Sequence, residues 1–166
     1  IRPTPFSDLA APAIWDVFND DKRSVGVINF PLASPPPAID SFFLAGIPAP
    51  DPDALAHPPS LQDRLVESGY QVQPDATHED GLEQYYEEIV ALTDRQCELT
   101  LDLCSEYDPE LLWTVFMGID WVQHYLWNER IDGENAVEQF YRHIDTVVGR
   151  LVDAVDDDCR VLLLSD

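Results

Sequence analysis

Lysine is almost absent from this sequence. Lys22 is the only lysine, and 9 lysine and arginine residues stand against 32 aspartate and glutamate residues, so the formal net charge is −23. Such a surface repels phosphate backbones and anionic lipid head groups, because binding would work against the field of the protein. The composition therefore argues against a nucleic-acid-binding surface and against binding to a membrane.

The same imbalance bears on the environment of the protein. Dense carboxylates with almost no lysine are typical of salt-loving archaea, where they keep proteins hydrated while molar salt screens the repulsion between them. The composition thus predicts a halophilic, acidic protein, with an isoelectric point near 4.1. The alternative is an acidic solvated surface without any such meaning.

Cysteine and long apolar runs are also scarce. Cys97, Cys104 and Cys159 have no CxxC spacing, which favours apolar packing in a reducing compartment over a disulfide or zinc framework. No apolar run approaches the roughly 18 residues of a membrane span, and nothing at Ile1 resembles a signal peptide. We therefore predict a cytoplasmic protein. The chain lacks an initial methionine and stops within or just past a predicted strand, so both ends look cut.

With 166 residues, of which 45% are hydrophobic, the chain suits a single domain with a substantial core.

The most informative stretch of the sequence is an apolar run that ends on an acid. Residues 113–119 carry no charge and are rich in β-branched and aromatic side chains, which predicts a buried central strand of a parallel sheet. Asp120 follows that strand, at the edge where open α/β sheets bind their ligands.

A helix that starts at Asp120 would bring His124 onto the same side one turn later. A carboxylate and an imidazole placed in this way can share one divalent cation. The alternative is that Asp120 caps a helix and that His124 is a half-buried polar residue among aromatic neighbours.

The rest of the chain alternates between helical and strand patterns. Residues 31–53 hold half of the 14 prolines together with apolar residues that need burial, and they predict a stiff loop over a strand end. The remaining patterns predict a short helix over 8–19, a buried strand over 24–30, a helix over 60–69, a short strand over 70–74, a long helix or broken pair over 77–107 and a helix over 134–155.

The end of the chain predicts one more buried strand, residues 159–166, which finishes on Asp166. A strand, a crossover helix and a second strand form a right-handed unit with parallel strands. Asp120 and Asp166 would then end parallel strands at the same edge of one sheet. Together with His124 they form the beginning of a metal site.

Several segments of the sequence are similar to one known family. They are 14–16, 25–31, 34–36, 45–46 and 141–149, the Asp-x-x-x-His pattern within 118–127, and the terminal Ser-Asp of 161–166. On these segments the chain resembles the type I phosphodiesterase/nucleotide pyrophosphatase family of the alkaline phosphatase superfamily. The resemblance implies an α/β fold, an αβα sandwich with a mostly parallel, alkaline phosphatase-like sheet that is incomplete at both ends.

The resemblance also implies a site and a mechanism. Two divalent metal ions, most often zinc and sometimes manganese, would be bound, one by Asp120 and His124 and the other by Asp166. The Thr or Ser nucleophile of the family would lie upstream of Ile1, and the last metal ligands would lie downstream. Residues 1–166 would therefore be a single partial domain of a hydrolase that cleaves a small-molecule phosphoester by two-metal phosphoryl transfer, and inactive as an isolated segment.

Two other interpretations stay open. The chain can be a non-catalytic α/β relative that uses the fold for binding or structural support. It can also belong to a sulfatase or phosphomutase branch that shares the same sheet. His143 and Asp145 could support the metal ligands, but a position facing solvent or an edge is the simpler interpretation of both.

Overall fold

The computed structural model describes residues 8–48 and 54–165. They form a four-stranded sheet, a two-stranded hairpin and five α-helices. The strands are β1 (Val25–Phe30), β2 (Ser41–Ala45), β3 (Ala56–His57), β4 (Leu111–Thr114), β5 (Arg130–Ile131) and β6 (Glu134–Asn135). The helices are α1 (Ile14–Asp20), α2 (Gln62–Glu67), α3 (Leu82–Tyr107), α4 (Gly118–Leu126) and α5 (Ala136–Asp153).

The sheet is mostly parallel and has the strand order β3-β2-β1-β4. β1 runs parallel to both β2 and β4, and the short β3 pairs antiparallel with β2. β1 is apolar except for Asn29 and is buried over all but its last residue, as expected for a strand that lies between two parallel neighbours. The predicted α/β architecture with a mostly parallel sheet is confirmed.

Both faces of the sheet are covered by apolar side chains. On one face, Ile28 and Phe42 pack with Leu65 of α2 and with Leu99 and Leu103 of α3. A second cluster contains other residues of the same strands together with Trp15 of α1. Successive side chains of a strand point to opposite faces, so the alternation along β1 and β2 divides the core between the two layers of helices.

The helices α3, α4 and α5 form a third apolar cluster around Phe140 of α5 and Val122 of α4. The long helix predicted over 77–107 is one unbroken α3 of 26 residues. α5 begins where the side chain of Asn135 accepts a hydrogen bond from the backbone N–H of Glu138, an ordinary N-cap arrangement. The cluster packs α4 against α3 and α5.

Two predictions about the first half of the chain were wrong. The proline-rich stretch was predicted as a loop, but its apolar centre is the strand β2, which pairs with the whole first half of β1. Residues 70–74 were predicted as a short strand and form none, since the antiparallel edge of the sheet is β3 instead. Residues 49–53 of the predicted loop lie outside the described residues.

The strand predicted over 113–119 was wrong in its extent and its place. β4 ends at Thr114, residues 115–117 form a connection, and α4 begins at Gly118. β4 is half-buried along its whole length and lies at one edge of the four-stranded sheet, not at its centre. Asp120 therefore lies in the first turn of a helix and does not directly follow a strand.

The strand predicted over 159–166 is not formed by the residues that the structure describes there. Residues 159–165 belong to no helix or strand, and Leu162, Leu163 and Leu164 are 84%, 75% and 76% exposed. An apolar run becomes a buried strand only where a neighbouring strand and a covering layer receive it. The described residues therefore do not form the predicted crossover unit, and Asp166 lies outside them.

Candidate metal centre

Asp120 and His124 lie side by side at the carboxyl end of β4. Asp120 is in the first turn of α4 and His124 is one turn later, so their side chains lie on one face of the helix. The Nε2 atom of His124 lies 3.3 Å from the Oδ1 atom of Asp120. The structure thus confirms that the two side chains approach each other.

The pair faces solvent. The side chains of His124 and Asp120 are 69% and 50% exposed, so both retain lone pairs that a solvent ion can reach. The positive N-terminal end of the helix dipole also favours the carboxylate of Asp120 in the first turn of α4. Among the ion pairs of the described residues, Asp120 and His124 pair with each other and with no third charged side chain.

Aromatic rings border the pair on one side. Tyr125 stacks on His78 with ring centroids 4.5 Å apart and an interplanar angle of 16°. The ring of Tyr85 meets Tyr125 edge-on at 6.0 Å, and His124 lies 6.3 Å from Tyr125. His78, Tyr85 and Tyr125 thus form an aromatic group beside the candidate pair.

Besides burial, the charge of Asp120 contributes to the raised pKa of Tyr85. Burial raises the pKa of the Tyr85 hydroxyl to about 12, and the negative charges of ionised Tyr125 and Asp120 contribute to the same rise. A carboxylate favours the neutral phenol beside it, because ionisation would place two like charges close together. Tyr85 is therefore a protonated hydroxyl near the candidate pair at neutral pH.

The structure does not complete a metal site within its described part. Among residues 8–48 and 54–165, no group of three or more histidine, cysteine, aspartate or glutamate side chains could hold a metal ion. The predicted approach of Asp166 to Asp120 falls outside those residues. The role of Asp120, His124 and Asp166 as ligands stays a prediction. His143 lies apart from them, with its Nε2 atom 3.3 Å from the Oδ1 atom of Asp94 of α3.

Sequence analysis missed three residues near this edge. His78 and Tyr125 form the stacked pair beside His124, and no spacing in the sequence predicts that contact between a loop and α4. Asn29 is a fully buried polar residue at the end of β1 that bonds to the connection before α4. Its signal was available, since it interrupts an otherwise apolar strand.

The sequence matches a protein-family model over nearly its whole length. Residues 5–166 match the family model described as type I phosphodiesterase / nucleotide pyrophosphatase. The chain belongs to this family. Comparisons with curated proteins and with solved structures gave no match. The mixed α/β architecture with a mostly parallel sheet is consistent with the alkaline phosphatase-like fold expected from the sequence.

Membership of the type I phosphodiesterase / nucleotide pyrophosphatase family indicates phosphoric ester hydrolysis in general, and the family is typically metal dependent. The exposed Asp120 and His124 supply ligand types that zinc accepts, a carboxylate oxygen and an imidazole nitrogen. Within the described part of the chain, no helix is both long enough and apolar enough to cross a membrane.

Proposed function

We propose that this chain is the central segment of a metal-dependent phosphodiesterase or nucleotide pyrophosphatase. The observation that carries the proposal is the exposed Asp120–His124 pair at the carboxyl end of β4, in a chain that matches the family from residue 5 to residue 166. The domain would be completed by a Thr or Ser nucleophile upstream and by further metal ligands downstream.

The geometry of the pair fits two ligands of one tetrahedral ion. Zinc binds imidazole nitrogen and carboxylate oxygen at about 2.0 to 2.2 Å, so two tetrahedral donors lie roughly 3.3 to 3.5 Å apart. The Nε2–Oδ1 separation in the structure is 3.3 Å. A simple hydrogen bond spans a similar distance, and a metal titration distinguishes the two.

In this proposal Asp120 and His124 bind one divalent cation, most often zinc, and Asp166 binds a second. When bound, such ions polarise the phosphoryl oxygens and activate the attacking hydroxyl. α4 holds Asp120 and His124 in fixed register one turn apart. The substrate would be a small phosphoester, attracted by the local cations despite the net charge of −23.

The proposal extends to the setting of the protein. The acid excess supports a halophilic protein, and the three cysteines support a reducing cytoplasm. The same charge disfavours nucleic-acid or membrane partners. The partner in this proposal is a small-molecule phosphoester substrate.

The test is a set of variants in the complete protein that contains this chain. Asp120→Asn and His124→Gln should each lower phosphodiester hydrolysis roughly hundredfold or more. Even changes to residues that only hydrogen-bond to a metal ligand lower metal affinity or activity about 10- to 100-fold. The measurement is the rate on a nitrophenyl phosphodiester across a zinc and a manganese titration, with a chelator control. Circular dichroism checks that each variant is folded.

Asp145→Asn is the matched control, because Asp145 is an exposed acid on α5 and its loss changes the net charge equally. It should leave the metal dependence unchanged. Full activity in chelator, or equal losses in Asp145→Asn and Asp120→Asn, would contradict the metal-ligand assignment.

The non-catalytic alternative has one observation in its favour, the absence of a three-ligand cluster among the described residues. It predicts that the complete protein binds neither zinc nor manganese tightly and hydrolyses no ester. The sulfatase or phosphomutase alternative is decided by comparing rates on phosphodiester, phosphomonoester and sulfate ester substrates. A preference for either of the latter two would replace the phosphodiesterase assignment.

A further inference from the structure

Asn29 is a polar residue where the sheet otherwise buries apolar ones. It lies next to last in β1, and its side chain is fully buried. Its Nδ2 atom donates a hydrogen bond of 2.9 Å to the backbone carbonyl of Val115. Its Oδ1 atom has no hydrogen-bond partner among the described residues. Burying an amide that is only partly satisfied is unfavourable, so the position has a requirement that an apolar residue does not meet.

The backbone of Asn29 is unusual as well. Its φ angle is +58°, in the left-handed region, and the register between β1 and β2 shifts between Val27 and Phe30. Asparagine enters this region more readily than most residues, because its short amide can bond locally. The left-handed turn takes Asn29 out of the regular alternation of the strand, at the edge where the candidate pair lies.

The residue that Asn29 contacts belongs to the connection that carries Asp120. Val115 follows β4 directly, and its N–H donates to the carbonyl of Ile28. Val115 is thus held on both sides, by the backbone of β1 through its N–H and by the Asn29 side chain through its carbonyl. Two residues after this anchor, Met117 caps α4, which carries Asp120 in its first turn.

We propose that Asn29 is a positioning residue for the candidate metal centre. By tying the 115–117 connection to β1, its amide sets the start of α4 and therefore the place of the Asp120 carboxylate relative to the sheet. This assignment rests on the proposed function for its effect on metal binding, but the tether itself is a property of the metal-free fold.

Two substitutions separate the effect of the Asn29 side-chain amide from the effect of its left-handed backbone conformation. Asn29→Gly keeps a backbone that adopts φ of +58° without strain and removes the hydrogen bond. Asn29→Asp keeps the shape and the tolerance for this φ but replaces the donor by an acceptor. Thr100→Val is the control, because Thr100 is equally buried and its hydroxyl bonds only within α3, to the carbonyl of Gln96.

The experiment uses the complete protein and two measurements. Hydrogen exchange without metal should show faster exchange over 115–121 in Asn29→Gly, with the 25–27 amides of β1 unchanged. Zinc titration should show a metal affinity 10- to 100-fold lower in Asn29→Gly and Asn29→Asp than in the wild-type protein, the range seen when residues supporting a ligand are changed. Thr100→Val should show neither effect.

Unchanged exchange over 115–121 in Asn29→Gly overturns the tether. Faster exchange with wild-type zinc affinity overturns the positioning role. If the wild-type protein itself binds no zinc, the proposed function fails, and exchange over 115–121 alone then decides whether Asn29 holds the connection. Should Asn29→Asp fail to fold, Asn29→Gly carries both measurements.

Discussion

The interior of the sheet is closely packed and apolar, whereas its carboxyl edge is polar and partly exposed, although β1 contributes to both. In the interior, Phe42 of β2 lies beside Gly26 of β1 in the sheet register, and its ring occupies the space that a Cβ at Gly26 would need, 2.3 Å away. At the edge, Asn29 turns left-handed and Asp120 is half exposed.

This difference predicts how much a substitution in each region changes the free energy of unfolding. Interior residues must fit a closely packed space, so a substitution there should alter the free energy of unfolding. It should affect metal binding only to the extent that the protein unfolds. Edge residues are determined by hydrogen bonding and charge, so a change there should alter the site more than the stability. The following substitutions test this contrast, from the largest expected effect to the smallest.

Phe42→Ala should lower the free energy of unfolding by about 3 to 5 kcal/mol, because it removes a fully buried ring and leaves a cavity. The ring also contacts Tyr107 of α3 edge-on at 5.3 Å, so the sheet loses part of its contact with that helix. Urea denaturation followed by circular dichroism measures the change.

Val66→Ala is the control for this prediction, since Val66 is 67% exposed on α2 and should change stability by no more than about 0.5 kcal/mol. Equal effects of the two substitutions would remove the distinction between interior and surface on which the comparison depends.

Gly118→Ala tests the junction between the two regions. Gly118 begins α4, and an added Cβ would lie 2.5 Å from the ring of Phe140 and 2.8 Å from the hydroxyl of Thr93. Overpacking of this kind typically destabilises a protein by about 1 to 3 kcal/mol. Because the start of α4 must shift, we also expect weaker zinc binding by the complete protein, measured by titration calorimetry.

Gly149→Ala is the matched control for Gly118→Ala. Gly149 is a helical glycine of α5 around which an added Cβ would meet nothing within 4 Å. Alanine favours helix over glycine by up to about 1 kcal/mol, so this variant should be stabilised and should bind zinc normally. A loss of stability at Gly149 would argue that α5 packs differently from the structure.

Periodicity and composition predicted some elements of the interior, and the edge only in part. β1, α3 and α5 follow from apolar patterns of six or more residues, and the approach of His124 to Asp120 follows from one turn of helix. β2 was missed because prolines flank a short apolar run, although pairing with β1 makes it a strand. The β5–β6 hairpin had a signal in Asp132-Gly133, whose φ angles of +51° and +82° suit a tight hairpin turn.

The 159–166 strand failed for a different reason. Its pattern shows only that the residues are apolar. A strand also requires a neighbouring strand to pair with, and sequence periodicity gives no information about that neighbour. The buried amide of Asn29 was missed for a related reason. The carbonyl that it bonds belongs to Val115, 86 residues later in the chain.

The smallest expected effect is on the titration of Tyr85. Its pKa is raised from 10.0 to about 12, first by burial and then by Tyr125 and Asp120, so the native state favours the neutral phenol. The stability that this contributes is complete below pH 10 and is lost as the pH rises through about 12. Asp120→Asn removes a negative charge and should lower the pKa of Tyr85 slightly toward 10.0, measured by phenolate absorbance, with Tyr85→Phe assigning the transition. Asp145→Asn should not move it, and an equal shift in both variants would mean that Tyr85 senses net charge and not the Asp120 carboxylate beside it.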